Sequence, residues 1–200
     1  MDVVEKLAQI FKEFPGIGER QAKRFVYFLM SRTSAYNENL SQLITDLKKQ
    51  INQCRDCFRF FIKRNGETLC DICSDPNREP TLLVVEKDSD LESVRKSGIY
   101  KGKYFILGGL VQIVQKNTKN FVRIDELKQR VKNNGIQEVI LAFSLNPQGN
   151  YTDSYVRGEL QNVAEQKNVK ISSLGRGLST GTELEYSDND TLKNALQNRQ

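Results

Sequence analysis

The chain has 200 residues, 38% of them hydrophobic, a mean hydropathy of −0.54 and a net charge of +5. That length allows one α/β body with small appendages, and no apolar run approaches the roughly 20 residues that a bilayer span needs. Residues 1 to 10 are amphipathic and charged, without the apolar block that secretion requires, so the reducing cytoplasm is the expected compartment. The charge is uneven: residues 95 to 132 hold ten cations against two acids, which reads as a polyanion surface or as a solvated lysine-rich face.

Val3, Leu7, Ile10, Phe11 and Phe14 recur at helical spacing and predict a short amphipathic helix over residues 2 to 13 with these side chains inward. Pro15 stops it. Gly16 and Gly18 permit positive φ in a tight hairpin with Ile17 plugging the junction, and a second helix follows with Ala22, Phe25, Val26 and Leu29 inward. Arg20, Lys23 and Arg24 share another face of that helix at i, i+3 and i+4. Backbone N–H groups freed by Gly16 and Gly18, added to the positive end of the second helix, form a site for one phosphate, and the basic side chains hold the next ones. Such contacts see only backbone, so they bind nucleic acid without reading its sequence. The plainer reading is a helical hairpin that only packs or dimerises. The Pro-Gly-Ile-Gly pattern resembles the helix-hairpin-helix motif of DNA repair proteins.

Residues 34 to 53 predict a further helix with Leu40, Leu43, Ile44, Leu47 and Ile51 inward. It leads to Cys54-Arg-Asp-Cys57 and Cys70-Asp-Ile-Cys73, two matched pairs that use all four cysteines. This arithmetic favours one tetrahedral zinc site over a redox dithiol or two disulfides, because redox motifs rarely come in matched pairs and nothing marks secretion. Asn65-Gly66 supplies the turn that folds the second pair onto the first. With no histidine in the chain, the ligands are Cys54, Cys57, Cys70 and Cys73. Four thiolates leave no open position for water, so the zinc is expected to be structural.

Ser74 to Pro80 reads as a loop. Thr81 to Glu86 is a continuous apolar run ending in an acid, as expected of a buried parallel strand with Glu86 at the carboxyl end that faces a ligand crevice. A helix around Leu91 and Val94 follows, then a strand from Tyr104 to Gly109, a helix over 124 to 133, a strand from Glu138 to Phe143, a helix from Thr152 to Glu165 and a strand from Val169 to Ser173. This alternation argues for an α/β fold with a mostly parallel sheet.

The glycine hairpin, the four-cysteine knot, the strand ending in Val-Val-Glu, the stretch from Cys70 to Arg78, Tyr104 to Gly108, Glu138 to Ala142, Arg176-Gly-Leu178 and Glu183 to Tyr186 occur in one order. In that order the chain resembles the RecR family of recombination mediators, essentially from end to end. The resemblance implies a helix-hairpin-helix unit at 1–53, a four-cysteine zinc finger at 54–80, a Toprim-like α/β domain at 81–175 and an assembly segment at 176–200. It implies a homo-oligomer, a dimer or tetrameric ring, that clamps DNA and works with RecO and RecF to load RecA onto single strands coated by SSB. The family's basic pair falls on Arg20 and Arg24, and its Toprim acids fall on Glu86 and Asp90.

Two departures stand out. Gln148-Gly149-Asn150 replaces Glu-Gly-Glu in the loop after the third sheet strand, and the middle loop reads Gln115-Lys-Asn-Thr-Lys119. The rival reading is a magnesium-dependent Toprim enzyme that processes phosphodiesters. It needs facing carboxylates, and Glu86, Asp88 and Asp90 supply only one such group. A scaffold for partner proteins is a third reading, separated from the clamp by the salt dependence of DNA binding.

Overall fold

The computed structural model describes residues 1–63, 66–112, 122–133, 135–175, 177–178, 181 and 183–197, with backbone alone at 190 and 197. The chain divides into two compact units, Met1–Asn52 and Gln53–Gln200.

The first unit holds α1 (Val3–Lys12), α2 (Glu19–Met30) and α3 (Ser34–Gln50). Asp2 caps α1, its carboxylate accepting from the Glu5 amide at 2.8 Å, and Thr33 caps α3. Ala8, Ala22 and Val26 are buried where α1 meets α2, and Val4, Leu7, Phe11 and Ile17 pack around them. Small side chains at the seam let the two helices approach closely.

The periodicity of these helices overstates what they bury. Val3, Ile10, Phe14, Leu43, Ile44 and Leu47 are expected inward, yet each is more than half exposed. Three short helices can close only one seam, and their second apolar faces have no further layer within the unit to cover them. α3 also ends earlier than predicted. Ile51–Gln53 is extended and forms β1 instead of a last helical turn, the β-branched Ile51 standing at φ −96° and ψ 135°.

The second unit continues with β2 (Phe60–Ile62), α4 (Asp71–Ser74), β3 (Thr81–Val85), α5 (Asp88–Ser97), β4 (Lys103–Ile106), α6 (Ile124–Asn133), β5 (Glu138–Ala142), α7 (Pro147–Lys167), β6 (Lys170–Ser173), a 3-10 turn at Leu184–Tyr186 and α8 (Asn189–Gln197). The strands β4-β3-β5-β6 form one fully parallel sheet in that order, with Val84 beside Phe105 on one side and Leu141 on the other. The chain reverses direction after β4, and crossovers of one hand then place α5 on the face opposite α6 and α7.

Alternate residues of β3 belong to two cores. Leu82 and Val84 join Phe105, Leu127, Val131, Val156 and Leu160 on one face, while Leu83 and Val85 join Tyr104, Ile106, Leu91, Ile72 and the four cysteines on the other. Burial on both faces explains why β3 reads as an unbroken apolar run, and each such large side chain contributes about 1.5–3 kcal/mol. The cysteine knot is thus part of the cover of the sheet, not an appendage hung from it.

α7 starts five residues before the predicted Thr152. Asn146 caps it by accepting from the Gly149 amide at 2.7 Å, and Pro147 occupies the first turn. Gln148-Gly149-Asn150 therefore lies on a helix, which corrects its placement in a loop. Asn65, the 115–119 stretch of the middle loop and Arg176 lie outside the described residues. Gly66, the other half of the expected turn, has φ +77°.

Candidate metal centre and nucleic-acid interface

Two knuckles build the cysteine site. In the first, Phe58 N donates to Cys54 O and Cys54 N to Arg59 O, both at 2.9 Å, and Phe58 takes φ +64°, a conformation uncommon for a large side chain. In the second, Cys70 stands at the start of α4, so that Cys73 follows within one turn. Arg55 N donates to Thr68 O at 3.0 Å, and Cys70 N reaches Cys54 Sγ at 3.4 Å, which draws the halves together.

The four Sγ atoms lie within 4.8 Å of one another, and all four thiols are free and buried. Cys57 and Cys70 are 3.6 Å apart at sulfur, far beyond a disulfide bond. Zn–S bonds of about 2.3 Å in a tetrahedron put sulfurs about 3.8 Å apart, so the donor set fits a zinc ion. Hydrogen bonding between Cys57 and Cys54 is the main cause that lowers the Cys54 pKa and raises that of Cys57. The crowded thiols hold their protons unequally, and a divalent cation would remove that difference by letting all four ionise.

The surroundings of the knot come from far along the chain. Arg130 on α6 donates from Nη1 to the Asp56 carboxylate and from Nη2 to Cys73 Sγ at 3.8 Å. Phe58 meets Phe105 edge-to-face at 5.4 Å, and the Arg123 guanidinium lies 4.9 Å from its ring centre. That packing offsets the cost of the left-handed Phe58. Arg59 is also buried; Nη2 lies 3.3 Å from Asp71, while Nε and Nη1 have no partner among the described residues. Sequence patterns missed Arg130, Phe58 and Arg123. The one local signal was an acid, Asp56, inside a Cys-x-x-Cys knuckle.

At the glycine hairpin, Gly16 takes φ +77° as expected, but Gly18 is extended at φ −86°, where it is the N-cap of α2 without a side chain to satisfy the first amides. Arg20, Lys23 and Arg24 are exposed. Lys23 pairs with Glu19 at 2.9 Å, a bond that lowers the Glu19 pKa and raises that of Lys23. Arg20 and Arg24 make no ion pair among the described residues, so their charges are open to an outside partner.

Glu86 follows β3 at the carboxyl edge of the sheet. β3 and β5 lead into helices on opposite faces there, which makes it a topological switch point. The Glu86 carbonyl accepts from Gly108 N at 3.0 Å, while its carboxylate makes no hydrogen bond or ion pair among the described residues. The neighbouring acids have structural work. Asp88 accepts from the Phe60 amide at 3.1 Å, and Asp90 caps α5 by accepting from Lys87 N at 3.3 Å. Among the described residues, the cysteines are the one group of potential metal ligands that converges.

Four cations of the basic block are engaged within the chain. Arg95 pairs with Glu92, Lys128 with Glu159 and Arg130 with Asp56, while Arg123 donates to Ile106 O at 3.1 Å. Lys116 and Lys119 lie outside the described residues.

A family model described as the Toprim domain matches residues 80–174, and one described as RecR, C-terminal, matches residues 177–200. Among curated proteins, the chain is 35% identical over 199 residues to Recombination protein RecR of Dehalococcoides mccartyi, covering 99% of this chain and 94% of that one. The counterpart in Bacteroides thetaiotaomicron is 36% identical over 198 residues, 98% of this chain and 93% of its own length. The Legionella pneumophila protein is 32% identical over 200 residues, 100% of this chain and 96% of its own.

Proposed function

The chain belongs to the RecR family of recombination proteins, and from that premise we propose that it is a non-catalytic DNA clamp and recombination mediator. In this reading it acts in the cytoplasm, at the nucleoid, with RecO and RecF, and helps load RecA onto SSB-coated single-stranded DNA. The observation that carries the proposal is the exposed pair Arg20 and Arg24, without ion-pair partners among the described residues, beside the uncapped amino end of α2. Gly16 and Gly18 free the backbone amides for one phosphate, the arginines take its neighbours, and Lys23 contributes less because Glu19 already holds it.

Cys54, Cys57, Cys70 and Cys73 would hold one structural zinc ion per chain, whose chemistry is to tie the two knuckles into one fold. The working division is a helix-hairpin-helix unit at 1–53, a zinc finger at 54–80, a Toprim-like domain at 81–175 and an assembly segment at 176–200. The apolar faces left open in the first unit favour self-association. They border a groove of about 630 Å³ lined by Leu7, Phe11, Phe14, Leu40 and Ile44 among others, and a second copy of the chain is the proposed occupant. Leu184 and Tyr186, 65% and 77% exposed, favour a further contact through the carboxyl-terminal segment.

One observation favours the rival, a magnesium-dependent phosphodiester-processing enzyme: the Glu86 carboxylate stands unengaged, among the described residues, at the switch point. Chemistry of that class needs a second charged group opposite the first, and Gln148 and Asn150 offer neutral amides. The test incubates the protein with magnesium or manganese and labelled single-stranded, nicked and duplex DNA. Binding that weakens with salt, without strand cleavage, joining or relaxation, is expected. Turnover that disappears in Glu86→Gln would replace the clamp by the enzyme.

A further inference from the structure

Arg130 lies 74 positions along the chain from Asp56 and 57 from Cys73, yet its side chain ends between them. The residue is 5% exposed. A guanidinium is always charged, and burying one costs several kcal/mol unless it is paired and hydrogen-bonded. Both terminal nitrogens are committed to the cysteine knot. Nη1 binds the carboxylate inside the first knuckle, and Nη2 lies 3.8 Å from the sulfur that closes the second, a long N–H···S contact.

Four thiolates around a divalent cation carry a net charge of about −2. An N–H donor on one sulfur stabilises that excess charge, and a carboxylate behind the donor fixes its direction. The solvent side of this bridge is a cleft of about 240 Å³ lined by Arg55, Asp56, Phe58, Glu126, Gln129, Arg130 and Asn133, and by no cysteine. The guanidinium therefore forms part of the wall between that cleft and Cys73.

We propose that Arg130 is a positioning residue of the metal centre: it orients Cys73, stabilises the excess charge on its sulfur and slows release of the ion toward the cleft. The inference rests on the reading of the cysteines as a zinc site. Arg59 supplies the contrast, being equally buried beside the knot but paired with Asp71 and touching no sulfur among the described residues.

The full-length chain loaded with zinc is mixed with a chromogenic chelator, and the rate of metal transfer is followed for wild type, Arg130→Met, Arg130→Lys and Arg59→Lys. A second sample of each is loaded with cobalt(II), and its sulfur-to-metal charge-transfer band is recorded. Losing an outer-sphere partner typically costs 10–100-fold in metal affinity. Arg130→Met is expected to release zinc faster by that order, and its cobalt band to move to lower energy because the sulfur is more electron-rich. Arg130→Lys, which keeps the charge with a single donor, falls between, and Arg59→Lys leaves the band in place. A wild-type release rate together with an unmoved band in Arg130→Met overturns the inference while leaving the zinc site intact. A wild-type chain that takes up neither zinc nor cobalt overturns both readings. If Arg130→Met does not fold, Arg130→Lys decides in the same way: a moved band supports the role, and an unmoved band with an unchanged rate overturns it.

Discussion

The Ile106 amide donates to the Cys57 carbonyl at 2.9 Å, so the outer side of β4 ends on the first cysteine knuckle. β4 is one of the two edges of the sheet, and the amide just after it, Leu107 N, turns the other way to Val85 O at 2.8 Å. The knuckle covers backbone that an open edge would expose. Chelation is therefore expected to loosen the sheet as well as the knot. An ion present at a hundredfold above its dissociation constant contributes about 2.7 kcal/mol by mass action, so its removal should lower the melting midpoint by about 5–11 °C. Calorimetry with and without chelator under reducing conditions measures this, and hydrogen exchange should show Ile106 losing protection.

The proposed phosphate contacts carry a numerical expectation. About 0.7 to 0.9 counterions are released per contact, so Arg20→Ala with Arg24→Ala should reduce the magnitude of the log–log salt slope by roughly 1.5. The loss should be similar for unrelated sequences, because the contacts read backbone only. Fluorescence anisotropy with two oligonucleotides of different sequence, at several salt concentrations, reads both quantities. An unchanged slope would assign the arginines to packing or assembly.

Two glycines of α7 should respond with opposite signs. A Cβ on Gly149 would sit 1.8 Å from the Ser144 carbonyl oxygen, whereas one on Gly158 meets nothing within 4 Å. Gly149→Ala must displace backbone at the start of the helix and should cost about 1–3 kcal/mol or more. Gly158→Ala gains helix propensity and should stabilise by up to about 1 kcal/mol. Urea denaturation of both variants compares them directly.

Tyr100 gives the protein an alkaline weakness. Its hydroxyl lies 3.0 Å from Thr81 Oγ1 and donates to the Lys103 carbonyl at 3.0 Å, and burial pushes its pKa from 10.0 up to about 12. The unfolded chain loses this proton first, so the tyrosine's stabilisation is whole below pH 10 and is lost as pH rises through 12. Tyr100→Phe has no proton to lose. The stability advantage of the wild type over this variant should narrow by about 1 kcal/mol between pH 9 and pH 11, as read from urea midpoints at each pH.

Features carried by neighbours in the chain were legible in the sequence. The spacing of Cys54, Cys57, Cys70 and Cys73 announced the converging sulfurs, and the apolar run from Leu82 to Val85 announced a strand buried on both faces. α6 falls over the predicted 124–133 because Ile124, Leu127 and Val131 are spaced for one face and all three are buried. The start of α7 was written in Asn146-Pro147, a cap followed by a first-turn proline, but the apolar pattern that begins at Thr152 outweighed it. Arg130 could not be found this way. Nothing local separates a buried arginine bound to sulfur from its neighbour Lys132, which is exposed. The open faces of α1 and α3 show the opposite limit: periodicity says that Ile10 and Leu47 belong against something, and is silent on whether that something is in the same chain.

The strand order also sets a timetable. β3 is central, but its second neighbour begins at Glu138, 53 residues after Val85. At a synthesis rate of about 5–20 residues per second, the apolar strand waits roughly 3–11 s on the ribosome with one side unpaired. The cysteine knot, complete by Cys73, emerges before any of the sheet. Metal captured at that stage would give the nascent β4 a finished surface to dock on while β5 is still being made.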